Sequence, residues 1–146
     1  MTTNIFLDSI GQNVEIYQGT YSCDNIPLTN KPCKIAGFVV NLSREGQPGS
    51  HFVSVVVTPT RVEYFDSFGL KCFNLFILNY MLRYQNNYYY NKVAIQNIQS
   101  EYCGLYALAC IIEYNHNGNL KSFISMFKND TVLNDEIVTN YLCRML

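Results

Sequence analysis

Two closely spaced apolar runs constrain the fold most: "KIAGFVVNL" at 34–42 and "HFVSVVV" at 51–57. Both are rich in β-branched residues and apolar at odd and even positions alike, the pattern of strands covered on both faces. After "TPT" the second run is answered by "RVEYFDSFG", so 51–57 and 61–67 form a β-hairpin. Residues 43–50, "SREGQPGS", read as a polar Gly/Pro loop. Residues 13–28 read as a short strand followed by a loop, and "KVAIQ" at 92–96 as another short strand. In "CFNLFILNYMLRYQ", 72–85, Phe73, Phe76, Ile77, Tyr80, Met81 and Tyr84 recur at the spacing of an amphipathic helix. "CGLYALACIIEY", 103–114, is apolar nearly all round, as a central buried helix must be. One or two further helices are expected over "LKSFISMF" and "NDEIVTNYLCRML", with Asp135 and Glu136 placed for the N-terminus of the second. The order argues an α+β fold: a small mixed or antiparallel sheet with a β-hairpin, packed on a central buried helix.

A chain of 146 residues reads as one domain, 1–146, able to bury about 68–70% of the surface its unfolded form exposes. With 49% hydrophobic and 14% charged residues it is globular rather than disordered. A formal net charge of -1 and a pI near 6.1 leave no basic footprint for nucleic acid. The first residues lack the basic and apolar regions of a secretory signal. The longest uninterrupted apolar run, 105–112, falls far short of the about 20 residues a membrane span needs. A soluble, intracellular protein is therefore expected. The six cysteines, at 23, 33, 72, 103, 110 and 143, form no CxxC pair, so neither disulfides nor a metal site is expected and the thiols read as free.

Only His51 and His116 can supply an imidazole. The ordinary reading of a lone histidine is a surface or hydrogen-bonded residue, and His116, in the polar turn "YNHNGN", fits it. The hairpin changes the odds for His51. If its loop is Pro59 and Thr60, Thr58 lies opposite Arg61, Val57 opposite Val62, and Val53 opposite Asp66. His51 shares the face of Val53 and hence of Asp66, as a diagonal neighbour at about 7–8 Å between backbones. A four-residue loop keeps this parity, and a three- or five-residue loop breaks it. Asp66 alone reads equally well as a carboxylate accepting N–H bonds in the turn at 67–69. Beside His51 it reads as the group that fixes the imidazole's tautomer.

Cys103 stands at the first turn of the buried helix, behind Ser100 and Glu101 as capping residues, where free N–H groups and the helix dipole favour a thiolate. Gly104 lets the backbone approach an oxyanion closely, and the Cys103 N–H can point into that hole. Cys110, two turns further along, reads as core. Gln96 and Gln99 precede Cys103 by seven and four residues. Either side-chain amide is a usable oxyanion donor, and spacing does not choose between them.

The order His, Asp, Gln, Cys, in "GSHF", "YFDSFG" and the run from Gln96 through Ser100 to "CGLY", resembles the adenain family of cysteine proteases. That family comprises the adenovirus protease and related maturation proteases of virophages and Polinton-type elements. "YQGTYSCDNIP" resembles the family's aromatic-x-Gly-Thr opening, and "IAGFVVNLSREGQPGSHF" its strand, Asn-bearing loop and Gly-x-His, so the likeness runs from about residue 17 to 110. The resemblance implies a papain-like/adenain-like cysteine protease architecture. It implies His51 as general base, Asp66 as its orienting carboxylate, Cys103 as nucleophile and Gln96 as oxyanion donor. Gln96 is favoured because the family's glutamine stands about seven residues before the cysteine and Ser100 then takes its usual place. Phe52 stands where the family usually has Trp.

The activity implied is that of a cysteine endopeptidase cleaving viral structural precursor proteins at Gly-containing sites during virion maturation, in the host cytoplasm or nucleus or packaged in the virion. An isopeptidase removing SUMO- or ubiquitin-like modifiers shares the constellation and is the second reading; a catalytically silent interaction module is the third. The residues require no cofactor. The family brings a peptide activator and activation by DNA, although the chain is shorter than the adenovirus enzyme and its near-neutral charge argues against DNA.

Overall fold

The computed structural model describes residues 4–29 and 34–146. Among them, five strands lie side by side in chain order: β1 (Tyr17–Ser22), β2 (Ala36–Asn41), β3 (Phe52–Val57), β4 (Val62–Phe65) and β5 (Tyr89–Tyr90). The sheet is mixed, with β1–β2 and β4–β5 parallel and the two central pairs antiparallel. The helices are α1 (Asn4–Gly11), α2 (Leu75–Leu82), α3 (Cys103–Asn117), α4 (Leu120–Ile124) and α5 (Thr131–Met145). None is long and apolar enough to cross a membrane.

The double coverage expected of the apolar strands is present. Val53, Val55 and Val57 of β3 and Val62 and Tyr64 of β4 pack with Ile77, Tyr80 and Met81 of α2. The alternate residues Phe52, Val56 and Phe65 pack on α3, which is flanked by residues of α1, α4 and α5. Gly37 lets α3 lie close on β2, because a Cβ there would stand 2.9 Å from Ile111 Cγ2. Buried Ser54 adds a polar tie between the layers, its hydroxyl donating to the Ala107 carbonyl at 2.7 Å.

Several boundaries differ from the sequence reading. The amphipathic segment at 72–85 is helical only from Leu75, because Asn74 caps it by accepting from the Phe76 and Ile77 N–H groups at 3.1 and 3.2 Å. Its buried face is Ile77, Tyr80 and Met81, while Phe73 and Phe76 are exposed. Residues 92–96 form no strand. Lys92 takes a left-handed conformation (φ 55°), and the Ile95 and Gln96 N–H groups both turn to the Ser67 carbonyl. The ladder partner of β4 is instead the two-residue β5. α5 begins four residues before Asp135, capped by Asp130, so Asp135 lies in the second turn and accepts from the Tyr106 hydroxyl at 2.7 Å. His116 lies in the last turn of α3, exposed, rather than in a turn beyond it. α1, which no sequence signal announced, is held by tertiary contacts: Leu7 is fully buried, and Asp8 accepts from the Tyr17 hydroxyl at 2.6 Å and the Thr20 N–H at 3.0 Å.

Candidate active site

The hairpin loop is the two-residue one, Pro59-Thr60. The Thr58 N–H donates to the Arg61 carbonyl at 2.9 Å, and the ladder runs from Val57 opposite Val62 to Ser54 opposite Phe65. His51 is the residue before β3 and Asp66 the residue after β4, so the even register carries both side chains to the same end of the sheet. There His51 Nε2 meets Asp66 Oδ1 at 2.8 Å.

Asp66 is only 2% exposed, and its two readings prove compatible. The same Oδ1 accepts from the Phe68 N–H at 2.8 Å, while the Gly69 N–H closes the turn on the Asp66 carbonyl at 2.8 Å. Gly69 is in the left-handed region (φ 73°), and a Cβ there would stand 2.5 Å from the Val93 carbonyl carbon, so only glycine fits. Two further residues hold this corner. Asn91 clamps the Asp66 backbone, accepting its N–H at 3.1 Å and donating to its carbonyl at 2.6 Å. The Phe68 ring stacks on the His51 imidazole, with centroids 4.8 Å apart and planes inclined by 19°. Sequence reasoning missed both. The place of Phe68 two residues after Asp66 was a usable signal, whereas nothing local marks Asn91.

Cys103 is the first residue of α3 and is half-buried. The helix has no side-chain cap at Tyr102. Ser100 Oγ accepts from the Tyr102 N–H at 3.2 Å, ahead of the helix, and Glu101 is exposed at the rim of the cleft, so the expected capping by these two is not what forms. The leading N–H groups of α3 therefore remain open to a negatively charged group.

Burial works against a Cys103 thiolate. It is outweighed by hydrogen bonds from His51 and from the Phe52 and Gly104 backbones, together with the imidazolium charge, so the thiol titrates below its usual range near 9. Burial likewise works against a charged His51. It is outweighed by the hydrogen bond to Asp66 and by Cys103, which raise the imidazole to about 9. Both shifts run in the direction of a thiolate–imidazolium pair. Asp66 occupies Nε2, which leaves Nδ1 to face the sulfur. Cys110, by contrast, is 1% exposed, and burial pushes its thiol up and out of use.

Gln96 lies on the cleft wall, buried, while Gln99 is exposed and outside the cleft. The Gln96 Nε2 donates to the Ser100 carbonyl at 2.8 Å, and its Oε1 accepts from the Ser67 hydroxyl. An amide nitrogen has two N–H donors, and the second meets no acceptor among the described residues. The backbone beneath is pinned by buried Asn134, whose Nδ2 donates to the Ile95 carbonyl at 2.8 Å.

The cleft encloses about 310 Å³ between the 49–52 segment, Phe68 and the 96–103 segment. Gly49, Ser50, His51, Gln96 and Cys103 all face it. Phe52 and Gly104 are buried beside the sulfur and contribute backbone N–H groups rather than side chains. Among the described residues no three His, Cys, Asp or Glu side chains converge so as to hold a metal ion. A cysteine whose thiolate is favoured, an imidazole fixed by a carboxylate and a free amide donor are groups suited to attack on a carbonyl carbon.

The chain superposes on the crystal structure of the selenomethionine form of the ASFV pS273R protease with a TM-score of 0.51 and 25% identity. The match covers 76% of this chain and 44% of that one. The chain has the fold of a cysteine protease. The matched part spans less than half the length of that protease. No protein-family model and no curated protein matches it.

Proposed function

We propose that this chain is a cysteine endopeptidase in which Cys103 is the nucleophile, His51 the general base and acid, Asp66 the carboxylate that orients His51, and Gln96 an oxyanion donor. The observation that carries the reading is the imidazole of His51 held at 2.8 Å by a buried carboxylate, in one cleft with a cysteine at a helix N-terminus whose thiol it draws down.

In this reading the Cys103 thiolate attacks the scissile carbonyl carbon, and the carbonyl electron pair moves to oxygen. That oxyanion is met by the free N–H of Gln96 and the open N–H of Cys103. His51 delivers its proton to the departing amine as the C–N bond breaks, leaving an acyl thioester. Water, deprotonated by His51, then attacks the thioester and returns the thiolate. The substrates proposed are viral structural precursor proteins cut at Gly-containing sites, supported by the likeness to a viral protease and by the adenain-like motifs. Incubating the protein with capsid precursors and with SUMO- and ubiquitin-like conjugates tests this. Release of a modifier far faster than precursor cleavage would assign it to the isopeptidases instead.

The pair also dictates a pH profile. The lowered thiol and raised imidazole leave Cys103 as thiolate and His51 as imidazolium together between the two titrations. Alkylation by iodoacetamide is expected to gain its full rate below pH 9, and peptide cleavage to fall as pH rises through about 9, where the imidazolium loses its proton. A reaction rate that climbs only through the ordinary thiol range would exclude the preformed pair.

A further inference from the structure

The turn that supplies the Asp66 carboxylate also touches the proposed oxyanion donor, through Ser67. Ser67 is 1% exposed and makes three contacts with the Gln96 segment. Its carbonyl accepts from the Ile95 N–H at 2.9 Å and the Gln96 N–H at 3.1 Å, and its hydroxyl donates to Gln96 Oε1. We infer that Ser67 is a positioning residue for the oxyanion hole, acting through Gln96 and resting on the protease reading of the cleft.

The argument turns on which end of the amide faces where. The oxygen and nitrogen of a glutamine amide are nearly equal in size, so shape does not orient them and hydrogen bonds must. The Ser100 carbonyl can only accept, so it requires Nε2 on its side. Oε1 is then directed at Ser67, whose hydroxyl must donate. Without that donor, Oε1 becomes a buried acceptor with no partner, which carries the full penalty of its lost hydration. The amide can relieve this by rotating toward other donors, and the cleft offers them in the uncapped N–H groups of α3. A carbonyl oxygen turned that way occupies the place of the oxyanion and withdraws the free N–H. Ser67 thus joins, within two adjacent residues, the group that orients the base and the group that orients the oxyanion donor.

The experiment compares wild type, Ser67→Ala, Gln96→Ala and the double variant on a Gly-Gly-aminocoumarin peptide, with iodoacetamide alkylation of Cys103 measured in parallel. Ser67→Cys, nearly equal in size and a weaker donor, guards against loss through packing alone. Gln96→Ala is expected to lower kcat about 10²–10³-fold. For Ser67→Ala we expect a loss on the order of 10-fold in kcat with KM unchanged, in line with one lost hydrogen bond. Ser67→Cys should fall between it and wild type. Alkylation, which forms no oxyanion, should keep its rate in all variants, and Ser67→Ala should add nothing in the Gln96→Ala background. A fully active Ser67→Ala overturns the assignment, as does an equal further loss in the double variant or a parallel fall in alkylation. A wild type that neither cleaves the peptide nor alkylates faster than an ordinary thiol overturns the protease reading, and this assignment with it.

Discussion

Cys103→Ala is expected to lower peptide cleavage by about 10⁶-fold, the scale seen when a nucleophile that works as one unit with its base is removed. Without Sγ no acyl thioester can form, and the oxyanion donors alone leave only a small residual rate over water. The loss should come without loss of structure. Position 103 is the first residue of α3 and half-buried, alanine is a good helix former there, and the packing of Tyr106 to Ile112 lies deeper in the helix. Thermal unfolding should therefore be nearly unchanged. His51→Ala should approach the same kinetic loss by another route, because the sulfur loses both its proton acceptor and its counter-charge. The alkylation of Cys103 should then slow toward that of an ordinary thiol. Exposed Cys143 on α5 provides a comparison within the same molecule, read by mass spectrometry of the alkylated peptides. Cleavage that survives Cys103→Ala would place the nucleophile elsewhere.

Asp66→Asn is expected to cost as much as about 10⁴-fold in kcat, the scale seen when an orienting carboxylate becomes an amide, and Asp66→Ala to cost more. The geometry explains the gap. In the native protein one oxygen, Oδ1, accepts from both His51 Nε2 and the Phe68 N–H, and an asparagine oxygen can keep both bonds. Orientation of the ring is then retained and only the negative charge is lost. Alanine removes both, leaving a ring held by the stacked Phe68 and the sulfur alone. The two variants also separate by pH. Asp66 is the largest influence raising the His51 imidazole to about 9, so Asp66→Asn should move the alkaline limb of the pH–rate profile downward. Asp66→Asn with an unmoved alkaline limb would show that the carboxylate charge does not hold the imidazolium.

Much of this site was legible because it hangs on a hairpin. Strand side chains alternate with a period of two, so a two-residue loop is enough to put His51 and Asp66 on one face at one sheet end. Cys103 was legible for a similar reason, since the change from the polar "IQNIQSEY" to an apolar helix marks its N-terminus. The neighbourhood of Gln96 was not legible. Its segment has no periodicity to read, and the left-handed Lys92 and the carbonyl of Ser67 shape it through contacts made across the chain. The positions of α1 and β5 were hidden for a related reason. Each is too short for its own residues to stabilise, and each forms only against a neighbour already in place.

By itself, then, the sequence determined the elements whose pattern is long and regular: strands covered on both faces, a buried helix headed by Cys103, and the parity that pairs His51 with Asp66. Spacing did not choose between Gln96 and Gln99 and the resemblance favoured Gln96; what tertiary structure adds is the burial that separates them. The two amides are equivalent as chemistry, and the fold draws Gln96 between Ser67 and Ser100 and leaves Gln99 in solvent. Periodicity is written along the chain, whereas the partners of a buried polar group are assigned by segments that meet only when the chain has folded.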